Sequence, residues 1–183
     1  MLRLKYIKFL FSLWLLLSVS VQAQTYSDLL LKAQASVFPK IVLLDKQLDQ
    51  KLVEQSISIC IVYDSEDELA AQNFKKYILE KFNNQINKQP LNIVLDSHDE
   101  DAQFPLATAY ISISNNNNVI AHLAQFASSE GRIVFSHTVD DFKTNTLLSL
   151  NVLEKTYIYL NRAAMKDYQI EFPRSFYKIV TIR

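Results

Sequence analysis

Polar chemistry in this chain gathers at four places, each directly after a strand-like apolar run. Asp64-Ser65 follows Ile57 to Tyr63, and Asp96-Ser97-His98 follows Leu91 to Leu95. Ser114-Asn115 follows Ala107 to Ile113, and Ser136-His137 follows Ile133 to Phe135. In open α/β sheets ligands sit beyond the carboxyl ends of the parallel strands. Asp64, Ser65, Asp96, His98, Ser114, Asn115, Ser136 and His137 are therefore the ligand-pocket candidates. Carboxylate, hydroxyl, amide and imidazole groups together suit a small polar ligand. The plainer role of these residue types, capping helices and closing turns, competes at every position.

Catalytic chemistry has no comparable footing. Ser136 and His137 are neighbours on a strand end, so their side chains point to opposite faces and cannot form a Ser–His pair alone. There is no Gly-x-Ser-x-Gly elbow. Asp64, Asp96, His98 and His137 are metal-ligand types, but no pair has the spacing of a metal motif. The acidic run His98 to Asp101 lacks the spacing of a calcium loop. The expectation is a protein that binds rather than turns over, with no cofactor and no metal.

Composition sharpens this. Gly131 is the only glycine. Phosphate-cradling loops and dinucleotide turns need several, so both are excluded. The 19 basic residues balance 19 acidic ones, and no long basic run exists, so nucleic acid is not an expected partner. Cys60 is the only cysteine. It cannot close an intramolecular disulfide, and within Ile57 to Tyr63 it reads as a buried thiol.

The elements that must hold these groups alternate. A first helix carries Leu29, Leu30, Ala33, Val37 and Ile41 at helical spacing, with Ser27 as cap and Pro39 predicting a stop or kink near Phe38. Asp45 to Glu54 is polar and reads as an exposed continuation of that helix or a connection. Ser56 to Tyr63 is apolar on nearly both faces, as in a central strand. Ser65 to Glu68 reads as a capping box for a helix with Leu69, Ala70, Phe74, Tyr77, Ile78 and Phe82 inward. Strands at 91–95, 107–113 and 133–135 follow, with an Asn-capped helix between the last two. Leu147 to Leu153 and Tyr157 to Leu160 read as a β-hairpin on the sheet edge. Arg162 to Lys166 reads as a short helical turn, and Pro173 as the start of a last helix with Phe172, Phe176, Ile179 and Val180 inward. The sum is an α/β three-layer sandwich: a mostly parallel central sheet with a C-terminal antiparallel hairpin.

Residues 1–23 read as a secretory signal peptide. Arg3, Lys5 and Lys8 precede an apolar run from Phe9 to Val19, and Val21 and Ala23 place small residues before a cut after Ala23. The run is too short to span a bilayer, which takes about 18 apolar residues. The expected mature unit is 24–183, one domain, with a net charge of −3 because the leader removes three basic residues. The expected location is the periplasm.

The last third has a distinctive order: the strand Gly131 to Ser136, then Asp140-Asp141-Phe142, then strands carrying Leu150-Asn151-Val152 and Tyr157 to Asn161. Arg162-Ala163-Ala164 and the basic-apolar stretch Arg174 to Val180 complete it. With the exported leader and a first helix ending near Phe38-Pro39, this resembles the YfiR/HmsC-like family of small periplasmic proteins. The match is loose over 25–183 and better over 130–183. It departs at Lys143-Thr144-Asn145, where the family commonly has glycines, and in having one cysteine, so redox control by an internal disulfide does not carry over. The resemblance implies a regulator that restrains the periplasmic part of an inner-membrane signalling protein, a diguanylate cyclase, and a protein that is often a homodimer. Asp140, Asp141, Phe142, Glu154, Tyr157 and Arg174 combine charge with aromatic area there and are the partner-binding candidates. The alternative is a periplasmic binding protein for a small solute.

Overall fold

The computed structural model describes residues 27–98 and 103–183. The leader expected at residues 1–23 and the acidic run Asp99 to Asp101 lie outside them. Among the described residues no helix is long and apolar enough to cross a membrane.

The elements in chain order are α1 (Asp28–Val42), β1 (Ile57–Tyr63), α2 (Glu68–Phe82), β2 (Gln85–Ile86), β3 (Gln89–Ser97) and β4 (Ala109–Ser112). Then come α3 (Asn117–Ser129), β5 (Ile133–Ser136), β6 (Leu148–Val152), β7 (Thr156–Leu160) and β8 (Val180–Ile182). The eight strands form one sheet in the order β2-β3-β1-β4-β5-β6-β7-β8. β3, β1, β4, β5 and β6 are mutually parallel. β2 and β7 run against them, and β8 follows β7. The α/β fold with a mostly parallel sheet and antiparallel pairing toward the C-terminus is as the sequence predicts.

Register shows that helices cover both faces. Tyr110 pairs with Val134 and Ile111 with Phe135, so Tyr110 and Phe135 point to opposite sides of the sheet. Tyr110 meets Phe126 of α3 edge-on at 5.9 Å. Phe135 stacks on Phe38 of α1 at 4.4 Å, and Phe38 also meets Phe74 of α2. α1 and α2 therefore share one face, and α3 covers the other. β1 between them is buried at every residue, which is why its sequence is apolar throughout rather than alternating.

Several expectations are corrected. α1 does not stop at Phe38 but runs to Val42 through Pro39. Pro costs a helix about 3 kcal/mol, whereas burying Phe38, Ile41 and Val42 returns roughly 1.5–3 kcal/mol each. The inward face is also rotated: Leu31, Gln34, Ala35 and Phe38 are buried, while Leu29 is 67% exposed. On α2, Leu69 is likewise outside at 74%. Ser27 makes no side-chain cap bond, and neither does the residue that precedes α2, because Ser65–Asp67 forms a 3-10 turn and Asp67 instead accepts from Asn115.

The C-terminal region differs most. The hairpin is not the sheet edge. β6 enters parallel to β5, only β7 reverses, and β8 adds outside it. No helix starts at Pro173; a 3-10 turn at Phe176–Lys178 leads into β8. The run Ile179-Val180-Thr181-Ile182 is β-branched throughout, and β7 offers it an open edge, so strand wins. The β2–β3 hairpin escaped the sequence reading. Its Asn87-Lys88 turn has both φ positive, the signature of a two-residue hairpin turn.

Candidate functional site

The parallel strands change direction of winding at one place. α2 carries the chain from β1 to β3 on one side, and α3 carries it from β4 to β5 on the other. The crevice between the carboxyl ends of β1 and β4 is thus the topological switch point, where ligands of such sheets bind. Asp64, Ser65, Ser114 and Asn115 stand there. Asp64 spends both oxygens inside the protein: Ser114 Oγ donates to one at 2.8 Å and the Asn115 amide to the other at 2.9 Å. Asn115 Nδ2 donates onward to Asp67 at 3.2 Å, and Asn116 caps α3 through Asn118 N. This network ties the two central strands to the starts of α2 and α3. Ser65 remains exposed.

Asp96 and His98 form a second setting, one strand away at the end of β3. The His98 backbone donates to Tyr63 O at 3.3 Å. Its buried ring stacks on Phe104 at 3.8 Å, with His122 6.1 Å away. His98 Nδ1 lies 3.4 Å from Asp96 Oδ2, within ion-pair reach but outside hydrogen-bond geometry, so both ring nitrogens and that oxygen are buried without a hydrogen-bond partner. Among the described residues no group of three or more His, Cys, Asp or Glu is arranged to hold a metal ion.

Ser136 and His137 form the third, at the end of β5, and they diverge. Ser136 Oγ donates to Thr138 O at 2.9 Å and takes a bond from Thr146 at 3.3 Å. His137 turns to α1. Gln34 Nε2 donates to His137 O at 2.8 Å and Leu150 O at 3.0 Å. Gln34 Oε1 lies 2.9 Å from His137 Nδ1, so the amide accepts the ring proton and Nδ1 carries the hydrogen. Burial pushes the His137 imidazole down to about 4, keeping it neutral. Gln34 was not foreseen; a polar residue on the apolar face of a helix is the signal that finds it.

The eight pocket candidates thus occupy three settings rather than one cavity. Two depressions among the described residues lie elsewhere. One, of about 260 Å³, is lined by Gln47, Lys51, Gly131, Arg132 and Gln169 among others. It sits at the amino ends of the strands. There Lys51 makes a buried ion pair with Asp45 at 2.6 Å, in a segment the sequence marked as exposed, and Arg132 donates to Lys51 O. The other is a shallow groove of about 750 Å³ along β8, lined by Arg162, Met165, Lys166, Ile182 and Arg183.

The partner-binding candidates divide by exposure. Asp140, Glu154 and Arg174 are exposed, and Phe142 and Tyr157 are half-buried. Asp141 is buried at 6%, so it is not a surface charge. Its backbone carbonyl takes bonds from Thr144 and Thr146, while Oδ2 is buried with no partner. Burial pushes its carboxyl up to about 6, against a backbone bond from the Thr138 segment. Around Tyr157 the surface is aromatic and basic. Tyr157 and Tyr159 stack at 6.2 Å, Lys155 lies over Tyr157 at 5.1 Å, and Arg183 over Tyr159 at 4.6 Å.

Asn161 holds this region together from inside. Its Nδ2 donates to Phe142 O and Thr146 O at 3.0 and 2.9 Å, and its Oδ1 accepts from Ala163 N and Ala164 N.

No protein-family model and no curated protein sequence matches the chain. Among solved structures it is similar to a conserved domain protein from Vibrio cholerae, at 13% identity and a TM-score of 0.49, over 74% of this chain and 57% of that one. It is also similar to an ABC domain in complex with L-Trp from Streptococcus pneumoniae, at 11% identity and a TM-score of 0.47, over 77% and 61%. The chain spans about three-fifths of the length of these structures. At such scores neither likeness bears on function.

Proposed function

We propose that this protein is an exported binding protein that acts through its surface and restrains the periplasmic part of an inner-membrane signalling protein, a diguanylate cyclase by the family resemblance. The observation that carries the choice of surface over pocket is the state of the switch-point crevice. Both Asp64 oxygens and the Ser114 hydroxyl are already spent on internal bonds. A ligand there would have to break bonds worth about 0.5–1.5 kcal/mol each, more for the charged acceptor. The C-terminal side, by contrast, exposes apolar area at Leu153, Ile179 and Ile182, at 66%, 64% and 49%, beside the tyrosine pair. Exposed apolar and aromatic groups together mark contact surfaces. No turnover is involved. Deleting the gene is expected to raise cellular cyclic-di-GMP and biofilm formation, and supplying the gene again to reverse both. Unchanged cyclic-di-GMP in the deletion strain removes the regulator.

A second reading, small-solute binding, is favoured by the polar cavity of about 260 Å³ around Lys51, Arg132 and Gln169. Arg132 Nε is buried there without a hydrogen-bond partner, a donor that a ligand oxygen would satisfy. Native mass spectrometry tests it. A small molecule that co-purifies with the protein and is lost in Arg132→Ala supports this reading.

A further inference from the structure

The free edge of the sheet at β8 combines three features. The first is an unpaired backbone. Arg183 N donates to Leu160 O, and Arg183 O accepts from Arg162 N, so the polar groups of Arg183 face β7. Backbone groups alternate along a strand in a parallel pair, so those of Val180 and Ile182 point outward, with no strand beyond them. The second is apolar exposure directly at that edge, at Ile179 and Ile182. The third is charge of one sign. Arg162, Lys166 and Arg183 line the groove along β8 with Met165 and Ile182. None of the three cations has an ion-pair partner among the described residues. The nearby acid Asp167 is engaged by Asn145 at 3.0 Å.

We propose that β8 is the docking edge for an extended, acidic segment of the partner protein, added to the sheet as a ninth strand. This rests on the regulator reading above and names the chemistry of the partner. Each feature selects part of that occupant. Open N–H and C=O groups select a peptide in extended form, because only a peptide backbone answers both in register. Ile182 and Met165 select apolar side chains at alternate positions. Three uncompensated cations select carboxylates. A second copy of the chain, pairing edge to edge, would bring the same three cations, with Asp167 the acid beside them already bonded to Asn145. Edge cations also deter unwanted self-pairing, so the same charges that exclude a copy admit an acidic strand.

The test uses the whole mature protein and a fluorescein-labelled peptide of about eight residues alternating Glu with Val, near the usual strand length. A control peptide alternates Lys with Val. Fluorescence anisotropy is expected to show binding of the Glu peptide only, weakening several-fold as salt rises from about 0.05 to 0.5 M. The double variant Arg162→Glu with Lys166→Glu, both exposed, is expected to weaken binding about tenfold or more while leaving the melting temperature near wild type. Ile182→Pro removes one outward N–H without touching a bond to β7, and is expected to weaken binding as well. Equal binding of both peptides, or binding unaffected by the charge variants, overturns the proposal. A dimer that the Glu peptide does not displace, and that Ile182→Pro dissolves, overturns it in favour of a second copy. If deletion raises cyclic-di-GMP but the charge variant restrains signalling normally, the edge is not the docking site and the regulator reading survives without it.

Discussion

Two titratable side chains, the buried Asp141 and the half-buried His137, pull the stability of this protein in opposite directions with pH. Asp141 has its carboxyl raised from 3.8 to about 6 by burial. The folded state holds its proton more tightly than the unfolded chain. Its contribution is fully favourable below about pH 4 and is lost as pH rises through about 6. His137 is lowered from 6.5 to about 4. Its contribution is present above about pH 6.5 and lost as pH falls through about 4. Between these values the two offset each other. Asp141→Asn is therefore expected to raise the urea midpoint at pH 7 and to bring the variant back to wild type near pH 4. The variant should then show the fall in stability from pH 6.5 to 4 that His137 imposes. A variant less stable than wild type at pH 7 contradicts a carboxyl held up by burial with one oxygen lacking a partner. Cys60 tests burial in another way. It is 0% exposed, and burial raises its thiol well above the usual range. Ellman's reagent should label it only as fast as the protein unfolds, and rapid labelling of native protein contradicts the two-sided cover of β1.

At the scale of elements, single side chains tie several segments together. Asn161 fixes the turn at Val139–Thr144, the entry to β6 and the 3-10 turn after β7. Asn161→Ala leaves Thr146 O and the amides of Ala163 and Ala164 short of partners, while Phe142 O keeps its bond from Asn145 N, and should cost about 2–4 kcal/mol in chemical denaturation. A cost below about 1 kcal/mol would mean that water replaces it. Gly131 ends α3 with φ at +61°, and its amide and that of Arg132 bond back to Ser128 and Ala127. A Cβ there would meet nothing closer than 3.7 Å, so the cost of Gly131→Ala is conformational only, about 1–2 kcal/mol. Gly131→Asn should cost less. The elements legible in the sequence are those whose pattern is local. The apolar run of β1 and the Asn116 cap of α3 are examples, as is the β6–β7 pair. The last strand was not legible. Whether Val180 to Ile182 becomes helix or strand depends on an open edge offered by β7, which no window of sequence around Pro173 contains. The same holds for the site. Asp64 and Ser114 are 50 positions apart, and the sequence marks each as polar at a strand end. Only the pairing of β1 with β4 shows that they satisfy each other. Asp141 reads as a surface acid beside Asp140 until the turn that buries it is seen.

For the whole molecule, the distribution of satisfied and unsatisfied surface sets the functional reading. The carboxyl end of the sheet is knitted shut at its centre by Asp64, Ser114 and Asn115. The side bearing β7 and β8 leaves backbone, apolar area and cations open. On the reading proposed above the protein works by covering that side, and its variants should separate cleanly. The most direct measurement is cellular cyclic-di-GMP in strains carrying, in place of the wild-type gene, a deletion, Asp64→Asn, or Arg162→Glu with Lys166→Glu. Protein levels are matched by immunoblot. The account predicts that the edge variant raises cyclic-di-GMP as the deletion does, while Asp64→Asn leaves it at the wild-type level. A deletion strain with unchanged cyclic-di-GMP, or a crevice variant that matches the deletion while the edge variant does not, contradicts it.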